Sequence, residues 1–192
     1  CTKWAASTAA TCRPAVKSLR HELRHRTREV LGALDAAMEE HADLRTEEGY
    51  ARFVQVMGAA WAEFGAVADQ AARAAELAPR SEVLLAALQE DLGHVLTPAR
   101  AAELTAGEIA GVAYALEGSS LGAAVLRKRV PASVQANYLD AIVAAGPRRW
   151  RSFQSWLESS APDVEQASAG AHQVFTYVRE QLRLCTEAAP TE

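Results

Sequence analysis

The chain is poor in the residues that build disulfide frameworks and metal cages. Its three cysteines, Cys1, Cys12 and Cys185, leave an odd one in any pairing scheme and show no metal-ligand spacing. It lacks any alternation of apolar and polar residues long enough for strands, and it contains no internal repeat, which argues against sheets and solenoids. No apolar stretch approaches the roughly 20 residues of a membrane-spanning helix, and the first residues lack the hydrophobic core of a signal peptide. The expectation is a soluble, cytoplasmic protein with reduced thiols and no membrane partner. A large excess of positive charge is missing too. Twenty basic residues against 24 acidic ones give a net charge of −4, which argues against nucleic acid as a partner. The local basic runs, Lys17 to Arg28, Arg127 to Arg129 and Arg148 to Arg151, read by default as solvated helix faces.

What the chain does have is alanine. Apolar residues make up 49% of its 192 residues while aromatics make up only 6%. Alanine has the highest helix propensity and lets helices approach closely, so the composition favours a packed helical bundle of one domain. Residues 1–12 show no period and read as a disordered arm, residues 13–185 as the folded domain, and residues 186–192 as a tail. From Val16 to Met38 apolar residues recur at steps of three and four, predicting a helix over 14–41. Thr46 before Glu47 and Glu48 predicts the start of a long second helix closed by Pro79. Ser81 is expected to cap a third helix and Thr97-Pro98 to open a short one. Thr105 with Glu108 has capping-box spacing ahead of Ile109, Val112 and Leu116. Pro131 and Gly146-Pro147 punctuate the later helices, and a last one runs from about Asp163 to Leu184. The tally is an all-α bundle of about seven or eight helices.

One feature of this pattern bears on function. Gly118 and Gly122 lie four apart, on one helix face, and each glycine costs up to about 1 kcal/mol of helix stability relative to alanine. Such a pair indicates either close helix packing or backbone approach to a flat ligand.

The run Leu116-Glu-Gly-Ser-Ser-Leu-Gly122 resembles the distal-helix motif of bacterial, biliverdin-producing heme oxygenases, including the bacteriophytochrome-associated kind. The first helix of that family carries Leu-Arg-x-x-Thr-x-x-x-His-x-x-Leu-Asp. This chain reads Leu23-Arg24, Thr27, Leu31 and Leu34-Asp35 at the corresponding places, matching every anchor except the histidine. Leu88 to Leu92, Trp150-Arg151-x-Phe153 and Ala171-x-x-x-Phe175 resemble later family segments, so the likeness spans about residues 19–184.

The resemblance implies a heme oxygenase-like multihelical fold and a cleft for a tetrapyrrole. Family members cleave heme, their substrate and cofactor, to biliverdin, carbon monoxide and iron, with electrons from a ferredoxin, flavoprotein or small reductant. It implies a distal wall made of Gly118, Ser119, Ser120 and Gly122, and Ala123 stands where many members have another glycine. It further implies contacts to the bound ring from Arg24, Thr27, Arg151 and Phe175, with Arg24 and Arg151 on the propionates. Arg24 lies seven residues before Leu31, about 10 Å along one face, which suits the reach from iron to propionate edge. At the position of the family's iron ligand stands Leu31, which has no lone pair. His25 points about 120° away around the helix, and His21 and His41 are each about 15 Å along it. His94 and His172 fall on other segments, where an isolated histidine is more often a surface or core residue than a ligand. Three readings follow: a heme oxygenase with an unconventional or exogenous ligand, a non-catalytic homologue that binds a tetrapyrrole or a protein through the same cleft, or a helical domain whose glycine pair is only packing.

Overall fold

The computed structural model describes residues 18–99 and 103–187. Among them there are only helices and loops: α1 (Leu19–His41), α2 (Glu47–Ala74), α3 (Ser81–Leu92), α4 (Ala106–Gly118), a 3-10 turn (Ser119–Gly122), α5 (Ala123–Arg127), α6 (Asn137–Ser160) and α7 (Val164–Glu187). The all-α expectation holds. Without the five-residue α5 there are six helices, slightly under the seven or eight expected. The expected arm at residues 1–12 and most of the 186–192 tail lie outside the described residues, and α7 itself continues to Glu187.

Local chemistry sets the helix ends. Thr46 accepts from the Gly49 amide at 3.0 Å, and Thr105 with Glu108 forms the reciprocal capping box that their spacing predicts. Ser81 does not cap α3. Asp69 of α2 does so, accepting from the Arg80 and Ser81 amides at 2.9 and 3.3 Å and from the Ser81 hydroxyl at 2.5 Å. Asp91 serves α6 in the same way, accepting from the amides of Asn137 and Tyr138, each at 2.9 Å, and from the Tyr50 hydroxyl at 2.6 Å. No helix opens at Thr97-Pro98, since Thr97 to Ala99 run without regular structure and Ala99 donates to the Ala62 carbonyl at 2.8 Å.

Helix α4 packs against α7 and α2, α1 against α7, and α2 against α3. The core is built on Trp61, Tyr138, Phe153 and the leucines 23, 84, 88, 116, 139, 157 and 182, all essentially fully buried. The stretch Ala106–Arg127 is, contrary to the sequence expectation, long and apolar enough by composition to cross a membrane. Its first part, α4, packs between α2 and α7 as a core helix does, and a 3-10 turn interrupts the stretch before α5. In α6 the backbone breaks at Gly146, at φ 64° and ψ 176°, a region open essentially to glycine alone, and Pro147 restarts the helix.

Candidate functional site

A cavity of about 1250 Å³ lies between α1, the α4 end with its 3-10 turn, α6 and α7. It exceeds the ~300–1,000 Å³ usual for small-molecule clefts, so a large flat ligand is within its capacity.

Helix α1 supplies one wall. Arg24, Leu31, Leu34, Asp35 and Met38 line it at steps of seven, three, one and three, the single face that the helical period requires. Thr27 shares this face by its spacing but does not line the cavity. It is 1% exposed, and its hydroxyl donates to the Leu23 carbonyl at 2.8 Å, so it is packed into the core beneath the cavity lining. From α7, Phe175 reaches the cavity beside Val174 and Val178.

The glycines of the second wall divide into two kinds. A β-carbon at Gly111 would overlap the Ala167 backbone, and one at Gly170 would overlap that of Glu108, so these two allow α4 and α7 to touch. A β-carbon at Gly118 would come no closer than 3.7 Å to the Trp150 ring, and one at Gly122 no closer than 4.0 Å to Leu126. Close packing therefore does not require Gly118 or Gly122, and both line the cavity. Ser119 lines it too, its hydroxyl donating to the Leu116 carbonyl at 2.7 Å. Ser120 does not, contrary to expectation. Its hydroxyl donates to the Glu117 carbonyl and faces Arg80, whose Nη2 is 3.5 Å away, because the tight 3-10 turn sends adjacent side chains to different sides.

The basic end of the cavity differs from the expected clamp. Arg24 is there, but Arg151 is exposed and outside the lining, since the α6 face that puts Trp150 and Gln154 inward turns the residue between Trp150 and Ser152 to solvent. Its place is taken by Arg20, one turn before Arg24, a partner that the four-residue spacing could have signalled. The Gln154 amide oxygen, in the orientation that satisfies its neighbours, accepts from Arg20 Nη1 at 3.1 Å and Trp150 Nε1 at 2.9 Å. Tyr114 lines the same region, and burial raises its phenol pKa while Arg24 and then Arg20 pull it back. His21 is the one histidine among the described lining residues, but it is ten residues, about 15 Å, from Leu31 along α1. His25 and His172 line a separate shallow groove between α1 and α7. Farther along α1, burial and then the Glu39 charge raise the Asp35 carboxyl.

Behind the glycine wall lies an ion cluster that sequence reasoning missed. The Glu117 carboxylate, 2% exposed, meets Arg80 at 3.0 Å and Arg149 at 2.7 Å. Arg149 also donates to the Ala78 carbonyl at 2.7 Å, so it is not part of a solvated face as its run suggested. Arg80 lies 5.3 Å over the Trp61 ring. Among the described residues no three histidines, cysteines or carboxylates gather as a metal site.

No family model matches the chain. A heme oxygenase from Xanthomonas campestris pv. campestris (strain 8004) is 36% identical over 115 residues, 54% of this chain and 68% of that protein. The crystal structure of an NO- and CO-bound heme oxygenase from Neisseria meningitidis superposes with a TM-score of 0.68 at 22% identity, covering 92% of this chain and 96% of that one. At that identity the likeness speaks for the fold.

Proposed function

The chain belongs to the heme oxygenase family, and from that premise we propose that its cavity holds heme or biliverdin by ring and carboxylates, with no protein imidazole on the iron, so that it binds the tetrapyrrole without the family's usual cleavage. Membership assigns a heme-binding or heme-degrading role. The observation that favours binding alone is Leu31 on the cavity face of α1, with His21 nearly three turns away along the helix.

The residues fit the macrocycle. Apolar side chains from α1 and α7 offer a floor, Gly118 and Gly122 leave space for a flat face, and Arg20 and Arg24 present guanidinium forks suited to two carboxylates. They do not fit an imidazole-held iron, which in this family supplies the oxygen chemistry. A cytoplasmic location belongs to the same proposal.

The retained glycines and Ser119 favour a second reading, heme cleavage with an exogenous axial ligand and electrons from a ferredoxin or flavoprotein. Titration of the purified protein with hemin and with biliverdin separates the two. We expect both to bind and raise the unfolding temperature, as any ligand selective for the folded state must. Leu31→His is expected to create a histidine-ligated Soret band that the natural protein lacks. Identical heme spectra in the two proteins overturn the proposal, and biliverdin formation by the natural protein with reductant and oxygen establishes the second reading.

A further inference from the structure

We propose that Glu117 is a positioning residue that sets the width of the cavity, because the ion cluster it forms fixes Gly118 and Trp150 relative to one another. The two ends of the cluster are each one residue from a cavity wall. Glu117 precedes Gly118 on α4, and Arg149 precedes Trp150 on α6. The Glu117 carboxylate accepts from Arg149 Nε at 3.0 Å and from Nη2 at 2.7 Å, a two-pronged contact that fixes orientation as well as distance. The Trp150 ring is the group nearest Gly118, 3.7 Å from where its β-carbon would be.

Besides the Tyr114–Trp150 ring contact at 5.8 Å, the 3-10 part of the wall has few ties. None of Ser119, Ser120, Leu121 and Gly122 is buried, so the 3-10 turn has no apolar anchor of its own. It spans from buried Glu117 to buried Ala123, and Arg80 touches it a second time at the Ser120 hydroxyl. On the other side, the glycine break at residue 146 frees the second half of α6 from the direction of the first, whose start is tied to Asp91. Arg149 is the first ionic tie after that break.

Stability is a poor account of the cluster. Arg80 keeps Nε and Nη1 buried with no hydrogen-bond partner, and burial pulls its guanidinium pKa down although Glu117 pushes it back up. Buried ion groups of this sort are often replaced by apolar residues with no loss of stability. What the cluster supplies is directional registration between α4 and α6, which apolar packing does not.

The inference rests on the cavity being a tetrapyrrole site. The test compares the natural protein, the triple variant Arg80→Met/Glu117→Leu/Arg149→Met, and the charge-retaining Arg149→Lys, each titrated with hemin and with biliverdin and each melted without ligand. For the triple variant we expect an unfolding temperature close to natural, dissociation constants raised at least tenfold, and faster hydrogen exchange at the amides of Ser119 to Gly122. For Arg149→Lys we expect a smaller loss of affinity at an unchanged unfolding temperature, and this variant carries the test if the triple variant does not fold. Equal affinity and equal exchange in natural and variant proteins overturn the inference alone. A natural protein that binds neither tetrapyrrole overturns the functional reading and this inference together.

Discussion

The α-carbon of Gly111 sits against Ala167 so closely that any β-carbon would overlap the Ala167 carbonyl, whereas Gly118, seven residues on along the same helix, has only the edge of Trp150 within 4 Å. The two glycines should therefore respond oppositely to alanine. Gly111→Ala must push α4 away from α7, and overpacking of that kind costs about 1–3 kcal/mol or more. Gly118→Ala meets only ordinary contacts and gains helix propensity of up to about 1 kcal/mol, but it places a methyl group in the cavity. Thermal unfolding should show the first variant less stable than the natural protein and the second at least as stable. Titration with hemin should show the second binding more weakly. Equal destabilisation of both would remove Gly118 from the cavity wall.

The same contrast shows what the sequence could and could not say. Helix positions were legible because each rests on chemistry within a few residues: the Thr105 and Glu108 box, the Thr46 cap, the Gly146-Pro147 break. The face of α1 was legible from its period, which put Arg24 and Leu31 together in the cavity. Spacing alone does not separate packing glycines from cavity glycines, because that depends on α7, more than 40 residues away in the chain. The remaining misses have the same origin. Arg149 reads as one of a basic run until Glu117 is seen 32 residues before it, and Arg151 reads as a clamp until α6 turns it outward. Ser81 reads as a cap until Asp69 arrives from α2 to do that work.

Tyr138 contributes to the loss of stability at alkaline pH, beside Tyr50, whose phenol burial and Asp91 raise further still. The Tyr138 phenol is fully buried and its pKa is pushed up to about 12 by burial, against the hydrogen bond from Trp61 and the Arg80 charge, which lower it. In the unfolded chain the same phenol titrates near pH 10, so between those values the folded state holds the proton and the unfolded state does not. The contribution of Tyr138 to stability is therefore fully present below about pH 10 and is lost as pH rises towards about 12, by up to about 3 kcal/mol at 1.36 kcal/mol per pH unit. Tyr138→Phe removes that slope. It also strips the Trp61 Nε1 donor of its acceptor at 2.9 Å, a loss of about 1–3 kcal/mol at neutral pH. Denaturant unfolding of both proteins at pH 7 and pH 11 should show the gap between them narrowing at the higher pH. A constant gap would mean that the buried phenol is not what titrates.

Arg24 and Arg20 line the cavity while Arg151 faces solvent, so carboxylate recognition should follow the α1 pair. A hydrogen bond to a charged group is worth about 1.5–3 kcal/mol, and each 1.4 kcal/mol is a tenfold change in affinity. Arg24→Ala is thus expected to weaken biliverdin binding about tenfold or more. Arg20→Ala should cost less, because its guanidinium already donates to Gln154 and must divide its donors. Arg151→Ala should leave binding unchanged. Esterified biliverdin supplies the decisive control, since a ligand without free carboxylates gains nothing from either arginine. The natural protein should bind the dimethyl ester more weakly than Arg24→Ala binds the free acid, because the ester forgoes Arg20 as well, and natural protein and Arg24→Ala should bind the ester about equally. A full loss on the ester as well would show that Arg24 supports the fold of α1 and not the ligand, and a loss on Arg151→Ala would return the clamp to α6.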